Sequence, residues 1–459
     1  MRRLLVFAAL CVVCISCNPG SGNKNDVQQV KLITLEPGHF HAALVQKSMY
    51  AGVDSVVHVY SPEGQDLKWH LGRIDSYNNR PEDPTHWREK VYSGNDFFDK
   101  MIAEKAGNVV VISGNNARKT ENIYRSVEAG FNVLADKPMV INTEGFKKLK
   151  EAFDLAAKNK VLLYDIMTER YEITTILQRE FSAFPEVFGV LDKGTPENPA
   201  ITKISTHHFY KYVSGSVLTR PAWFMDVSQQ GEGIVDVMTH LVDLVQWACF
   251  PEQSIDYTKD VQVNAAKRWT TPMKLSQFKT ITGLQNFPDY LKGNVTLDSI
   301  LNISCNGEVN YQLKGVHAKT SVIWAYQAPE GAGDAHQSTM RGTKASLIIR
   351  QTANEQFKST LFIEPLINDA AYAQALNNAF TSMQEKYPGI DVKKADKGFE
   401  VVIPEKYKEG HEAHFARVTQ NYLDYFNGKP MPAWEVPNMI AKYFTTTRAL
   451  DLAKESEPK

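Results

Sequence analysis

Long apolar runs are scarce in this 459-residue chain. Outside residues 4–15, nothing reaches the roughly 18 consecutive apolar residues a membrane-spanning helix needs, and 4–15 is itself too short. A surplus of positive charge is missing too: 51 basic residues face 52 acidic ones. That excludes a nucleic-acid binder, which needs a basic surface to neutralise phosphates. There is no low-complexity tract and no repeat at a solenoid period. Cysteines number only five, and the twelve histidines include no H-E-x-x-H, so the sequence predicts no metal site. What is present is a globular composition, 43% hydrophobic and 22% charged. At roughly 100–200 residues per domain the length suggests two or three domains.

The first residues are not part of the fold. Arg2 and Arg3 precede the apolar run, which ends at Ser16-Cys17 and passes into Asn18-Pro19-Gly20-Ser21-Gly22. This is similar to a bacterial lipoprotein signal. The resemblance implies a signal peptide over 1–17, lipidation at Cys17 and a tether over 18–28. It also implies an exported, membrane-anchored lipoprotein, on the periplasmic side or cell envelope, that meets the membrane only through its N-terminal lipid. Cys249 and Cys305 read as two separate buried thiols.

From residue 30 the pattern is strand, tight turn at Glu36-Pro37-Gly38, then helix. A second strand covers 56–60, and the polar stretch 65–95 reads as an insertion or long loop beside the active site. Strands over 109–112, 132–135 and 161–164 alternate with helices over 97–105, 119–128 and 143–158. Uninterrupted apolar strands alternating with helices predict a doubly wound parallel sheet. After about residue 170 the strands come closer together, near 201–212, 259–268, 296–304, 308–316, 319–325 and 345–351. A helix over 234–249 interrupts them, and helices over 410–428 and 436–455 close the chain. This predicts a second α/β domain, residues 166–459, around a large, mostly antiparallel sheet with one open face, following a dinucleotide-binding domain over 29–165.

The first strand-turn-helix is where such a fold places a pyrophosphate. Of the G-x-G-x-x-G positions, here Glu36, Gly38 and His41, only Gly38 keeps glycine. Ser61 or Glu63, after the second strand, would meet the ribose. The segment from Ala129 to Pro138, AGFNVLADKP, closely resembles the "aGkhVlcEKP" of the Gfo/Idh/MocA oxidoreductases. The segment from Gln230 to Asp243, QGEGIVDVMTHLVD, resembles that family's "GGGxxxDxGxHxxD". Asp236 and His240, spaced i, i+4, would share a helix face.

The resemblance implies a Rossmann domain holding NAD or NADP tightly through Gly38, His39, His41, Ser61, Glu63, Ser113, Asn115, Asn116, Asp136 and Lys137. It implies a catalytic group of Lys137, Asp236 and His240, with Lys119 standing where the family has a histidine. His240 would be the general acid or base, Lys137 would stabilise charge on the reacting oxygen, and Asp236 would orient them; Lys137 as the base is the reverse division. His208, Tyr210, Arg220 and Trp223, with Asp236 and His240, would bind a sugar or glycoside. The expected activity is oxidation or reduction of a secondary hydroxyl. Two alternatives stand beside it: a redox-assisted glycosidase or lyase without net cofactor turnover, and a non-catalytic sugar-binding lipoprotein. Self-association through the open sheet face is also expected.

Overall fold

The computed structural model describes residues 29–213 and 216–456. The signal peptide, Cys17 and the whole tether over 18–28 lie outside the described residues.

The first half alternates β1 (Leu32–Leu35), α1 (His41–Val45), β2 (Val56–Ser61), α2 (Gln65–Asn79), β3 (Arg88–Ser93), α3 (Phe97–Glu104), β4 (Val109–Ile112), α4 (Asn116–Glu128), β5 (Asn132–Asp136), α5 (Thr143–Asn159) and β6 (Leu163–Ile166). The strands are all parallel, in the order β3-β2-β1-β4-β5-β6. Strand order reverses between β1 and β4, so the crevice opens at their C-terminal ends. The four residues of β4, Val109 to Ile112, are all buried, as expected of a central parallel strand covered on both faces.

The expected loop over 65–95 is instead α2 and β3, integral parts of this domain. Its polarity misled because α2 buries only Leu67, His70, Ile74 and Tyr77, and β3 is an edge strand with four exposed residues.

The second half contains α6 (Ile173–Ser182), β7 (Ile201–Tyr210), the short β8 (Tyr212–Val213) and β9 (Ser216–Val217), α7 (Val227–Gln230), α8 (Met238–Cys249), β10 (Val261–Lys274), α9 (Leu275–Thr282), β11 (Ile300–Leu313), β12 (Val316–Gln327), β13 (Ala335–Arg341), β14 (Ala345–Arg350), β15 (Thr360–Pro365), α10 (Ala370–Met383), β16 (Asp391–Ala395), β17 (Gly398–Val402), α11 (His411–Phe426) and α12 (Glu435–Glu455). Nine strands form one sheet, β10-β11-β12-β7-β13-β14-β15-β17-β16, antiparallel except where β12 meets β7. Along β14 and the first six residues of β7 burial alternates residue by residue, so one face is packed more closely than the other. The two strands expected at 296–304 and 308–316 are the single strand β11. Its polar Asn306-Gly307 centre resembles a turn in sequence, but Asn306 Nδ2 donates to the Trp269 carbonyl and Thr271 Oγ1, and its Oδ1 accepts from Trp324 N–H.

The closing helices return to the first domain. Phe415, Val418, Tyr422 and Leu423 of α11 join its core. Helix α12 serves both cores, with Met439 and Tyr443 in the first and Ala449 and Leu450 in the second. A buried ionic network fixes it there. Arg170 pairs with Asp243 at 2.6 Å and Glu435 at 3.0 Å, and Lys442 lies 2.7 Å from Asp165 and 2.8 Å from Asp243. Cys249 and Cys305 are both free and buried.

One buried group makes stability depend on pH. His70 is 3% exposed, and neither ring nitrogen has a hydrogen-bond partner among the described residues. Burial, helped by the charge of Arg73, lowers its pKa from 6.5 to about 3. Below pH 6.5 the unfolded chain takes up a proton that the native chain refuses. The contribution of His70 is therefore full above that pH and is lost as pH falls toward 3. Between pH 6.5 and 5 the wild type should lose about 2 kcal/mol more than a His70→Gln variant, read from urea unfolding midpoints. Equal losses would contradict this.

Candidate active site

Strand β5 ends at Asp136, and the next residue, Lys137, reaches the C-terminal edge of the parallel sheet. There its Nζ donates to Asp236 Oδ1 at 2.7 Å, across the seam between the two halves. Gln230 Nε2 holds the other oxygen of Asp236 at 3.0 Å. Burial would raise the Asp236 pKa, but the charge and hydrogen bond of Lys137, with Gln230, bring it below the usual value. Asp236 is not on the helix itself. It sits in the turns just before α8, whose approach to β11 depends on Gly233, where a Cβ would fall 1.9 Å from the Cys305 carbonyl oxygen.

His240 stands on the first turn of α8. It is buried, and its Nδ1 has no hydrogen-bond partner among the described residues. Burial, then the charge of Lys137, lowers its pKa to about 3. The expectation of an imidazole titrating near neutrality is thus corrected: His240 is neutral at ordinary pH and can accept a proton or a hydrogen bond.

Lys137, Asp236 and His240 all line one cavity of about 1050 Å³. His39, His41 and Asp136 line its first-domain side, Tyr210, His207 and His208 its sheet side, and His411 and His414 the side of α11. Two carboxylates here carried no sequence signal. Asp334, after the Gly331-Ala332-Gly333 turn, accepts from His207 and His208 at 3.1 Å each and from Lys211 at 2.6 Å. Burial opposes its ionisation, but His207 and Lys211 hold its pKa far below the carboxylate range. Glu169 pairs with His411 at 3.2 Å.

The first turn differs most from expectation. Glu36 adopts φ +47°, and its carboxylate turns away to Arg118 and Asn122. The N–H groups of Gly38 and His39 both donate to the Ser113 carbonyl, at 3.2 and 3.0 Å. Trp223, expected at the substrate, donates instead to Asp66 Oδ2 at 2.9 Å. Together they lie over Gly38: a Cβ there would meet Trp223 Cζ2 at 3.1 Å, Asp66 Oδ2 at 3.3 Å and Gly114 Cα at 3.4 Å.

Other site residues expected from sequence also have different partners. Asn115 caps α4 and donates to Gln229, and Asn116 donates to the Gln230 carbonyl, so both tie the two halves together. Ser61 donates to the carbonyl of Pro62, and Glu63 is exposed; neither lines the cavity. Arg220 braces the end of β7 through the carbonyls of Phe209 and His208, its guanidinium 4.5 Å from the Phe224 ring centre. Ser113 donates to Asp136 Oδ2 at 3.0 Å. Lys119 Nζ donates to the Asp136 carbonyl at 3.1 Å.

A parallel sheet of this strand order, an open antiparallel sheet beside it, and a lysine meeting an aspartate and a histidine across the seam define a two-domain oxidoreductase of the Gfo/Idh/MocA type. The chain belongs to the family described as "Putative oxidoreductase C terminal domain", whose profile matches residues 177–454. It is similar to a solved "putative oxidoreductase" from Parabacteroides merdae ATCC 43184: identity is 53% over 94% of this chain and 98% of that one, with a TM-score of 0.91. The fold is shared with a levoglucosan dehydrogenase solved with NADH and levoglucosan (11% identity, 93% of this chain, 98% of that chain, TM-score 0.58). It is shared too with GenD2 from gentamicin A biosynthesis, solved with NAD (15% identity, 94% of this chain, 96% of that chain, TM-score 0.53). No curated protein matches the chain.

Proposed function

We propose that the chain acts on a secondary hydroxyl of a sugar or glycoside, or on the ketone related to it, within the cavity at the seam. The observation that carries this reading is the 2.7 Å pair of Lys137 and Asp236, with His240 beside the same cavity. An ammonium has three donors, so Lys137 can hold Asp236 and still donate to a substrate oxygen, stabilising negative charge there. Asp236 aims the amine and balances its charge. His240, neutral, is the acceptor for the hydroxyl proton. His207, Tyr210 and Lys211 at the sheet wall suit a polyhydroxylated ligand.

The NAD- and NADH-bound relatives support NAD or NADP as the cofactor of this fold, where it supplies a hydride acceptor. Lys137 and Asp136 would face its nicotinamide end. The pyrophosphate end does not fit the arrangement described here. Its N–H donors are engaged by Ser113, an indole covers Gly38, and the nearest side-chain oxygen there is the Asp66 carboxylate, which would repel phosphate. If the Trp223–Asp66 contact is the barrier, Trp223→Ala should bind NADH at least about tenfold more tightly than the wild type by fluorescence titration, a gain of about 1.4 kcal/mol. An unchanged affinity would locate the barrier elsewhere.

A redox-assisted glycosidase or lyase is the second reading. The Lys137 amine and the neutral His240 beside one cavity favour it, since they could move the protons of its elimination, while its transient oxidation would still need the bound nicotinamide to take a hydride and return it. One experiment separates the two. The chain, purified without added nucleotide, is denatured and assayed for released NAD(H) and NADP(H). Fresh protein is then followed with aryl glycosides at the reduced-nicotinamide band and for aglycone release. Net reduction supports the oxidoreductase reading, and aglycone without net reduction the second. Neither signal, with no released nucleotide, overturns both and leaves a binding protein.

We also propose that the chain is an exported lipoprotein anchored at Cys17 and that copies associate through the open sheet face. Cys17→Ser should release it from the membrane fraction.

A further inference from the structure

We propose that His39, His41 and Asp136 form a mononuclear site for a divalent first-row transition metal, at the C-terminal edge of the parallel sheet and opening onto the cavity that Lys137 lines. Each residue offers one ligand atom, and the three atoms lie within 4.8 Å of one another. Asp136 Oδ2 is 3.0 Å from His41 Nδ1 and 3.6 Å from His39 Nδ1. The two imidazoles meet edge to face, ring centres 4.1 Å apart. A second observation points to a ligand independently: Asp136 is 2% exposed, and its Oδ1 has no hydrogen-bond partner among the described residues. A buried carboxylate oxygen left without a donor is costly unless something occupies it.

The donor chemistry suits such an ion. Two imidazoles and one carboxylate are the protein ligands of catalytic zinc and of non-haem iron(II) sites, which keep further positions open. Here the open side faces the large cavity, since all three residues line it together with Lys137. The scaffold orients the ligands as metal sites require. Ser113, at the end of β4 between the two ligand-bearing strands, donates its hydroxyl to Asp136 Oδ2, and its carbonyl accepts the N–H of His39. Two lysines are near, but neither competes for the open carboxylate oxygen: Lys137 is paired with Asp236, and Lys119 donates to the backbone carbonyl of Asp136.

The test reads the metal alone, so its failure would leave the proposed activity standing. The full chain, purified without chelator, should carry about one transition-metal ion per molecule by mass spectrometry. After chelation and dialysis it should take up one equivalent of Co²⁺ with a visible ligand-field band. His39→Ala and Asp136→Asn, checked for native circular dichroism, should lose that band. Ser113→Ala, which removes only the orienting hydroxyl, should weaken Co²⁺ binding about 10–100-fold. A featureless Co²⁺ titration of the wild type, or a band that survives in both His39→Ala and Asp136→Asn, overturns the proposal.

Discussion

Lys137→Met should leave a folded protein whose kcat falls by about 10²–10³ on any sugar the wild type turns over, the usual cost of removing one donor to a developing oxyanion. Among the described residues the amine alone bridges the first domain to Asp236 by an ion pair, at 2.7 Å, and it opens onto the same cavity as His240. Asp236 would keep Gln230 as a partner in the variant, so the turn before α8 retains a hydrogen bond. Lys137→Arg separates charge from geometry: it restores the ion pair, but its planar fork cannot place a single donor where the ammonium does. It should recover stability while leaving much of the rate deficit. A wild-type kcat in Lys137→Met would end the assignment of this lysine to the reacting oxygen.

The second large effect is on stability. Lys442 is completely buried, and its amine lies 2.7 Å from Asp165 and 2.8 Å from Asp243. Burial opposes the charge on Asp243, yet Arg170 and Lys442 hold its pKa far below the usual range. Lys442→Met fills the same space but leaves Asp165 with the hydroxyl of Tyr443 as its neighbour and Asp243 with Arg170 alone. Breaking a buried pair in this way costs about 3–5 kcal/mol. The loss should appear as a lower thermal midpoint and as easier proteolysis of α12. A midpoint within a degree of the wild type would show that water or Arg170 compensates fully.

Much of the fold was legible because its central strands are continuous apolar runs. Val109 to Ile112 can sit nowhere but inside a covered parallel sheet, and the DKP turn after β5 delivers Lys137 to the sheet edge. Elements at the margin were not legible. Helix α2 and strand β3 bury so few residues that their polarity imitates a loop, and Asn306-Gly307 imitates a turn in the middle of β11. Asp236 and His240 stand out in the sequence because they lie four residues apart, and Lys137 because it sits in the DKP turn. Asp334 and Glu169 were missed because they reach the cavity from distant segments with no periodic signature. The partners of Trp223, Asn115 and Asn116, namely Asp66, Gln229 and the Gln230 carbonyl, were not legible because they lie across the seam, and such contacts leave no trace in the order of residues.

Helix α12 is rooted in both cores, and its Lys442 joins Asp165 of the first half to Asp243 of the second. A clamshell motion would have to tear out this pin. Ligand traffic must instead pass through a standing doorway, past the sheet wall and the start of α11. Uptake should then depend on the size of the incoming molecule more than on any slow opening of the frame.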